Sequence, residues 1–461
     1  MSLTLTIKRS FFGWTEKDFL KTLWILALPI SLQHLLTSSL SFIDVLMIGQ
    51  LGDAAIGSVG LINKLFFVGI MILSAIASGA SILSAQFFGK KDWSGISQTF
   101  KIALLISLTF IIPIALAAFF APQTLLSFVS QDTSVIEIGA EYLKITSLFL
   151  VFTAISMVTS AILRTINQAK IPMIAGIIAV VLNTFLNYLL IFGHAGFPEL
   201  GVKGAAYATV ISRSVEMLLL LTALIKLPET QKLREVFLSK KLRLTGFTRF
   251  WHTSYPLILN ELFWSLGLFA YQVVYSRMGK EELAAMSLLV PIDALVSDFF
   301  IGVAIASGII LGQTLGAGDK EKAYDMGFKF ISLAAFIGAV MGIILLVIQS
   351  PVLSVFSGLS ETTLQLATSV YSVMALTLWI KFFNMTAIMG VLRSGGDTRF
   401  VLVYDIGTIW LIGVPTAILL GLFLQWPLQW VFMAVMFEEL LKMAIWLRRI
   451  RSKRWLNQLT A

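Results

Sequence analysis

Apolar residues run in long stretches broken by short polar turns, and a helix needs about 20 mostly apolar residues to cross a bilayer. Such stretches fall near residues 20–47, 54–86, 97–120, 133–163, 171–193, 201–225, 248–278, 283–315, 326–349, 362–391, 399–421 and 425–447. Several exceed a minimal span, which predicts tilt or extension into water. The second set of six repeats the first. Pro29 and Pro256, Gly52 and Gly279, Gln86 and Gln313, and Gly89 and Gly316 are all 227 positions apart. A later pair, Leu163-Arg164 and Leu392-Arg393, is offset by two more. The expected fold is an all-α polytopic membrane protein, with twelve transmembrane helices in two pseudo-symmetric six-helix lobes. Residues 1–225 would form the N-lobe, 226–247 a cytoplasmic linker, and 248–461 the C-lobe with a basic tail.

Composition excludes a water-soluble globule. With 57% hydrophobic residues, 13% charged and a mean hydropathy of +0.89, the apolar surface is too large for one core to hide. Assigning Lys and Arg to alternating loops places roughly 27 on the side of the N-terminus and roughly 4 on the other, which reads as both termini cytoplasmic. The net charge of +9 sits in short loops beside apolar spans, where it suits anionic lipid heads rather than nucleic acid. There is no cysteine, so disulfides and thiolate metal sites are excluded. Met1 to Trp14 lacks a short apolar core with a cleavage site and reads as a cytoplasmic, partly amphipathic lead-in.

Two halves with the same orientation form a parallel repeat, and transporters built this way bind substrate at the midplane and rock one half against the other. Pro29, Pro256, Pro291 and Pro415 lie inside spans, where they act as kinks or packing devices. Small-residue stripes at Ala75, Ser78, Gly79 and Ser81, and at Ala304, Ala306 and Gly308, suit close helix contact.

Four motifs carry a family resemblance. They are P-x(14)-D-x(4)-G-x-L-G (Pro29, Asp44, Gly49, Leu51, Gly52), GQTLGAGD at 312–319 with its partner AQFFGKKD at 85–92, LRSGGDTR at 392–399, and NTFLNYLLIFG at 183–193. In register on a duplicated frame, they resemble the multidrug and toxic compound extrusion (MATE) family over essentially the whole chain. The resemblance implies a V-shaped pair of lobes that exports cationic or amphipathic drugs in exchange for protons or sodium. It implies no cofactor beyond the coupling ion, an integral plasma (bacterial inner) membrane location, and a monomer.

Charges inside spans are costly and mark functional candidates. Asp44 follows a run of small polar residues, Thr37, Ser38, Ser39 and Ser41, and can bind a proton or a sodium ion. Its place resembles the family's N-lobe coupling aspartate. Asn183 and Asn187 are one turn apart on span 5 and point the same way. With Thr209 on span 6 they would complete an oxygen-rich site around Asp44. The family pattern has Asp where this chain has Asn187, a departure that favours protons over sodium. Lys64 either approaches Asp44 or snorkels outward, and Arg213 and Glu216 are spaced to neutralise each other.

In the second half, Glu261 resembles the family's span-7 acid, and Asp293, Asp298 and Lys381 are expected to form a network sharing charge with it. Asp405, Glu438 and Glu439 are expected nearer cytoplasmic ends or lobe exteriors. Trp264, Phe269, Tyr271 and Phe299, with Phe263 and Phe300, are candidates to line a substrate cleft, since aromatic walls accept varied cations. Competing readings are a flippase of a lipid-linked precursor, which would favour a basic cavity, and a membrane-embedded transferase using buried acids. No Walker motif, His-rich metal spacing or Ser-His-Asp set is present, so the chain reads as a non-enzyme driven by an ion gradient.

Overall fold

The computed structural model describes residues 17–239, 244–356 and 358–460. The lead-in at Met1 to Trp14 and residues 240–243 of the linker lie outside them. Every regular element among the described residues is helical. The first half contributes α1 (Lys17–Gly49), α2 (Asp53–Gly89), α3 (Trp93–Phe120), α4 (Thr133–Thr165), α5 (Lys170–Phe192) and α6 (Val202–Lys226). The second contributes α7 (Leu244–Met278), α8 (Lys280–Gly316), α9 (Lys320–Ser354), α10 (Glu361–Met385), α11 (Thr398–Thr408) and α12 (Leu428–Arg451). A π-helical segment, Thr386–Leu392, extends α10. Two more, Ile409–Gly413 and Leu419–Phe423, extend α11 on either side of the α-helical turn Val414–Ile418. Among the described residues eleven helices are long and apolar enough to cross a membrane. The twelfth, α12, carries Glu438, Glu439 and Lys442 within its length.

The repeat is visible in how the helices stop and start. Asp92 and Asp319, 227 positions apart, each cap the next helix by accepting a backbone N–H three residues on, at 3.0 Å in both cases. A short side-chain acceptor satisfies one of the free N–H groups at a helix start. The turn before each cap needs one left-handed residue, which is Lys91 (φ 60°) in the first half and Gly318 (φ 91°) in the second. The turn after α4 does likewise with Asn167 (φ 64°), matched by Gly396 (φ 73°) after α10. Glycine meets no penalty there and asparagine a small one. The two glycine-rich motifs are therefore turn chemistry.

The chain divides into two compact units. Unit one comprises residues 1–31 and 259–461, and unit two residues 32–258. These divisions differ from the three stretches drawn from the sequence, because α1 and α7 each change unit part way, two residues beyond Pro29 and Pro256. Close contacts explain the change. In unit two, Gly79 of α2 lies against Ser254 of α7, where a β-carbon would collide with the serine. In unit one, Gly302 of α8 lies against Ser31 of α1, whose hydroxyl donates to the Phe299 carbonyl at 2.5 Å. Each unit is thus completed by the opening turns of the other half's first helix.

Within unit two, α4 packs on α2, α3 and α6, and α5 on α6. Within unit one, α10 is the central helix, packed on α8, α9 and α12. Gly338 and Gly342 of α9 face α10, and a β-carbon on Gly338 would stand 2.6 Å from Trp379 Cα. Small residues four apart let the two backbones approach, which supplies packing where lipid gives no hydrophobic drive.

Candidate functional site

Unit two gathers a polar cluster around Asp44, which lies half-buried on α1. Asn187 Nδ2 donates to Asp44 Oδ1 at 2.5 Å and to Asn183 Oδ1 at 3.0 Å. Asn183 Nδ2 in turn lies 3.4 Å from both Thr209 Oγ1 and Ser212 Oγ. The turned-over amide of Asn183 is also compatible with its neighbours, placing its nitrogen 3.0 Å from Asp44 Oδ1 and its oxygen 3.3 Å from the Thr209 backbone N–H. The four residues singled out in the sequence therefore meet at one place, carried on α1, α5 and α6. Tyr142 of α4 and Ser212 join them, the tyrosine hydroxyl being hydrogen-bonded to the Thr209 side chain.

Two features suit this cluster to a small cation. The Asn187 Oδ1 atom is buried with no hydrogen-bond donor, although buried acceptors are nearly always satisfied. Asp44 accepts at Oδ1, and no described residue donates to its other oxygen. A proton would bind at the open carboxylate oxygen, and a small cation would find oxygen acceptors on both side chains. Arg213 stands close enough to act electrostatically on Asp44, but its guanidinium is held by Glu216 at 2.8 Å. Lys64 is exposed and joins no ion pair among the described residues.

The deeper end of α1 carries a second arrangement that both halves share. Arg164 Nη2 donates to Gln33 Oε1 at 2.6 Å. Its repeat partner Arg393 donates to Asn260 Oδ1 at 2.7 Å and to Glu261 Oε1 at 3.2 Å. Gln33 and Asn260 each lie one turn beyond the span proline, so the arginine in the last turn of α4, or just past the π-helical extension of α10, ties down the same turn in each half. The Leu-Arg pair that marks the repeat is therefore a structural clasp, and Glu261, the residue after Asn260, is the ion-pair partner of Arg393.

The other second-half candidates separate. Lys381 Nζ contacts both oxygens of Asp293, at 2.6 and 2.7 Å, and Ser297 Oγ at 2.8 Å. Glu261 is paired with Arg393 instead. The single network expected from sequence is thus two separate ion pairs, while Asp298 is half-buried on α8. Asp405 and Glu438 are not at lobe exteriors: they are 5% and 2% exposed and surround the ammonium of Lys442 with Glu439. Lys442 went unnoticed in the sequence, although the spacing Glu438, Glu439, Lys442 on a helix is itself a pairing signal. Among the aromatic candidates, Phe269 and Trp264 are exposed at 66% and 37%. Phe299 is half-buried, and Phe300 stacks on Phe382 with centroids 3.8 Å apart. Tyr271 is buried and donates to Glu438 Oε2 at 2.6 Å, so it serves the ion cluster of unit one.

Eleven helices long and apolar enough to cross a membrane among the described residues, a twelfth bearing buried charges, and a duplicated frame define an integral membrane transporter. The MatE family pattern matches residues 29–189 and 256–419, and the chain belongs to this family, the multidrug and toxic compound extrusion transporters. It is 24% identical to an uncharacterized transporter, YisQ, of Bacillus subtilis (strain 168), covering 96% of both chains. It is 27% identical to the probable multidrug resistance protein NorM of Thermotoga maritima, covering 94% of this chain and 93% of that one. A crystal structure of MATE in the straight conformation superposes with a TM-score of 0.85 at 19% identity, over 94% of this chain and 96% of the other. At that identity the superposition establishes the shared fold.

Proposed function

We propose that the protein is a secondary active antiporter that exports cationic or amphipathic compounds in exchange for protons, with Asp44 as the loading group. It works in the bacterial inner membrane as a monomer with both termini cytoplasmic, contacting lipid and small lipophilic drugs. The observation that carries this reading is the Asp44 carboxylate among Asn187, Asn183 and Thr209, with one carboxylate oxygen that no described residue donates to and an orphaned amide oxygen on Asn187. The donor set favours a proton over sodium. A sodium ion needs several oxygen ligands, and here one carboxylate oxygen is already occupied by an amide N–H while the second position is Asn187 instead of a carboxylate.

Proton binding drives the cycle only if it prefers one arrangement of the transporter, by about 5.5 kcal/mol for a near-complete switch. Asp44→Asn keeps an acceptor oxygen for Asn187 and removes the titratable group. The variant is expected to insert and fold normally while export is abolished. In proteoliposomes with proton and sodium gradients imposed separately, the proton gradient should drive uptake of a fluorescent cation such as ethidium. Wild-type transport by Asp44→Asn would refute the role of Asp44, and drive by sodium alone would refute the choice of ion.

A further inference from the structure

Unit one buries more negative charge than positive. Glu438, Glu439 and Lys442 share one face of α12, and Lys442 Nζ reaches Glu438 Oε1 at 2.7 Å, Glu439 Oε1 at 3.0 Å and Asp405 Oδ1 of α11 at 3.2 Å. Of these contacts only that with Glu439 has hydrogen-bond geometry; Glu438 Oε1, though within ion-pair distance, is buried with no hydrogen-bond partner among the described residues. Three carboxylates around a single ammonium leave an excess of two negative charges. Arg393, the other cation tied into the network, is matched by Glu261 and reaches the cage only through Asn260, which donates to Asp405 Oδ2 at 2.9 Å. The remaining neighbours are neutral. Tyr271 of α7 donates to Glu438 Oε2 at 2.6 Å, with Tyr275 one turn further along, and Asn384 of α10 donates to Glu439 Oε2 at 2.7 Å. Lys442, Asp405 and Glu438 are 4%, 5% and 2% exposed and Glu439 is half-buried, and uncompensated buried ions are strongly disfavoured.

Two further observations mark the cage as a built site. The buried Asn384 Oδ1 has no donor among the described residues, which leaves an acceptor in the cluster waiting for a proton-bearing group. Gly413, the last residue of a π-helical segment of α11, lies directly on the Tyr271–Glu438 contact, where a β-carbon would collide with the hydroxyl and the carboxylate. Single π-helical turns inside α-helices are frequent at functional sites.

We propose that this cage holds an exchangeable proton, carried on Glu438 Oε2 with the Tyr271 hydroxyl turning from donor to acceptor as it binds, as a second proton site separate from Asp44. Its part in transport rests on the proton-coupled reading above, but its existence does not. The proton comes from water and returns to it. While it is bound, the cage carries one excess negative charge; its release restores two.

The test reads protonation in purified protein in lipid nanodiscs, independent of transport. In an Asp44→Asn background, which removes the other proposed proton site, thermal unfolding is expected to shift to lower temperature from mildly acidic to alkaline pH, and adding Glu438→Gln, which mimics the protonated acid, is expected to remove that shift. The infrared spectrum of Asp44→Asn at neutral pH should still contain a protonated-carboxyl band, and Glu438→Gln should lose intensity from it. An equal loss of stability in Glu438→Gln at every pH would show a permanently ionised partner of Lys442 and overturn the proposal. If Glu438→Gln does not fold, the band in Asp44→Asn decides: its presence supports a second protonated acid, and its absence refutes it.

Discussion

On the proposed reading Asn187 selects the coupling ion, so Asn187→Asp is an informative perturbation. Its side-chain nitrogen sits 2.5 Å from Asp44 Oδ1, and the substitution puts a carboxylate oxygen in place of that donor. Two ionised carboxylates at this separation repel by about 7 kcal/mol at an effective dielectric constant of about 20. The variant therefore has to take up a cation or a proton between them. At about 1.4 kcal/mol per tenfold, that repulsion raises cation affinity by up to about a hundred-thousand-fold before the side chains relax. Asn183 and Thr209 supply further oxygens for a sodium ion. The assay is thermal unfolding in sodium against potassium chloride at equal ionic strength, since a ligand at about 100 times its dissociation constant stabilises by about 2.7 kcal/mol. Wild type should not distinguish the salts, whereas Asn187→Asp should be stabilised by sodium and gain sodium-driven ethidium transport. A variant that responds to neither sodium nor pH differently from wild type would refute the view that this position selects the ion.

Other outcomes follow from particular contacts. Lys442→Met strands the buried carboxylates of Asp405 and Glu438 beside the half-buried one of Glu439 and should destabilise by about 3–5 kcal/mol, the range for breaking a buried pair; thermal unfolding within error of wild type would count against the cage. Trp455, buried completely against Gly395 and Gly327, should lose about 3–5 kcal/mol as Trp455→Ala, read by thermal unfolding. Outside the spans, the Ser134 hydroxyl and the N–H groups of Val135 and Ser134 hold the Asp132 carboxyl below the usual aspartate range. Its contribution is complete above the ordinary aspartate range and is lost as pH falls through the lowered value. Asp132→Ala should therefore unfold slightly earlier than wild type at neutral pH, with the difference vanishing in strong acid.

Repeat, span count and turn chemistry were all legible in the chain, because each depends on residues close in sequence. Membrane length follows from apolar run length, and the caps at Asp92 and Asp319 follow from residues three apart. The Asp44 cluster was legible for a related reason: Asn183 and Asn187 share a helix face by spacing alone, and few other polar side chains were available to meet them. The ion cage was not. Asn260, Tyr271, Asp405 and Glu438 lie on three helices, and their meeting depends on how each helix is rotated about its axis. In a soluble protein the apolar stripe encodes that rotation. Here lipid and core are equally apolar, so hydrophobicity leaves the rotation open and glycine contacts, clasps and ion pairs decide it. The same holds for the change of unit within α1 and α7. The two prolines were readable, but which helix received each opening turn was settled by the fit of Ser31 against Gly302 and of Ser254 against Gly79. By itself the sequence determined how many helices cross the membrane, their order and their repeat; tertiary packing alone determined which buried charges face one another.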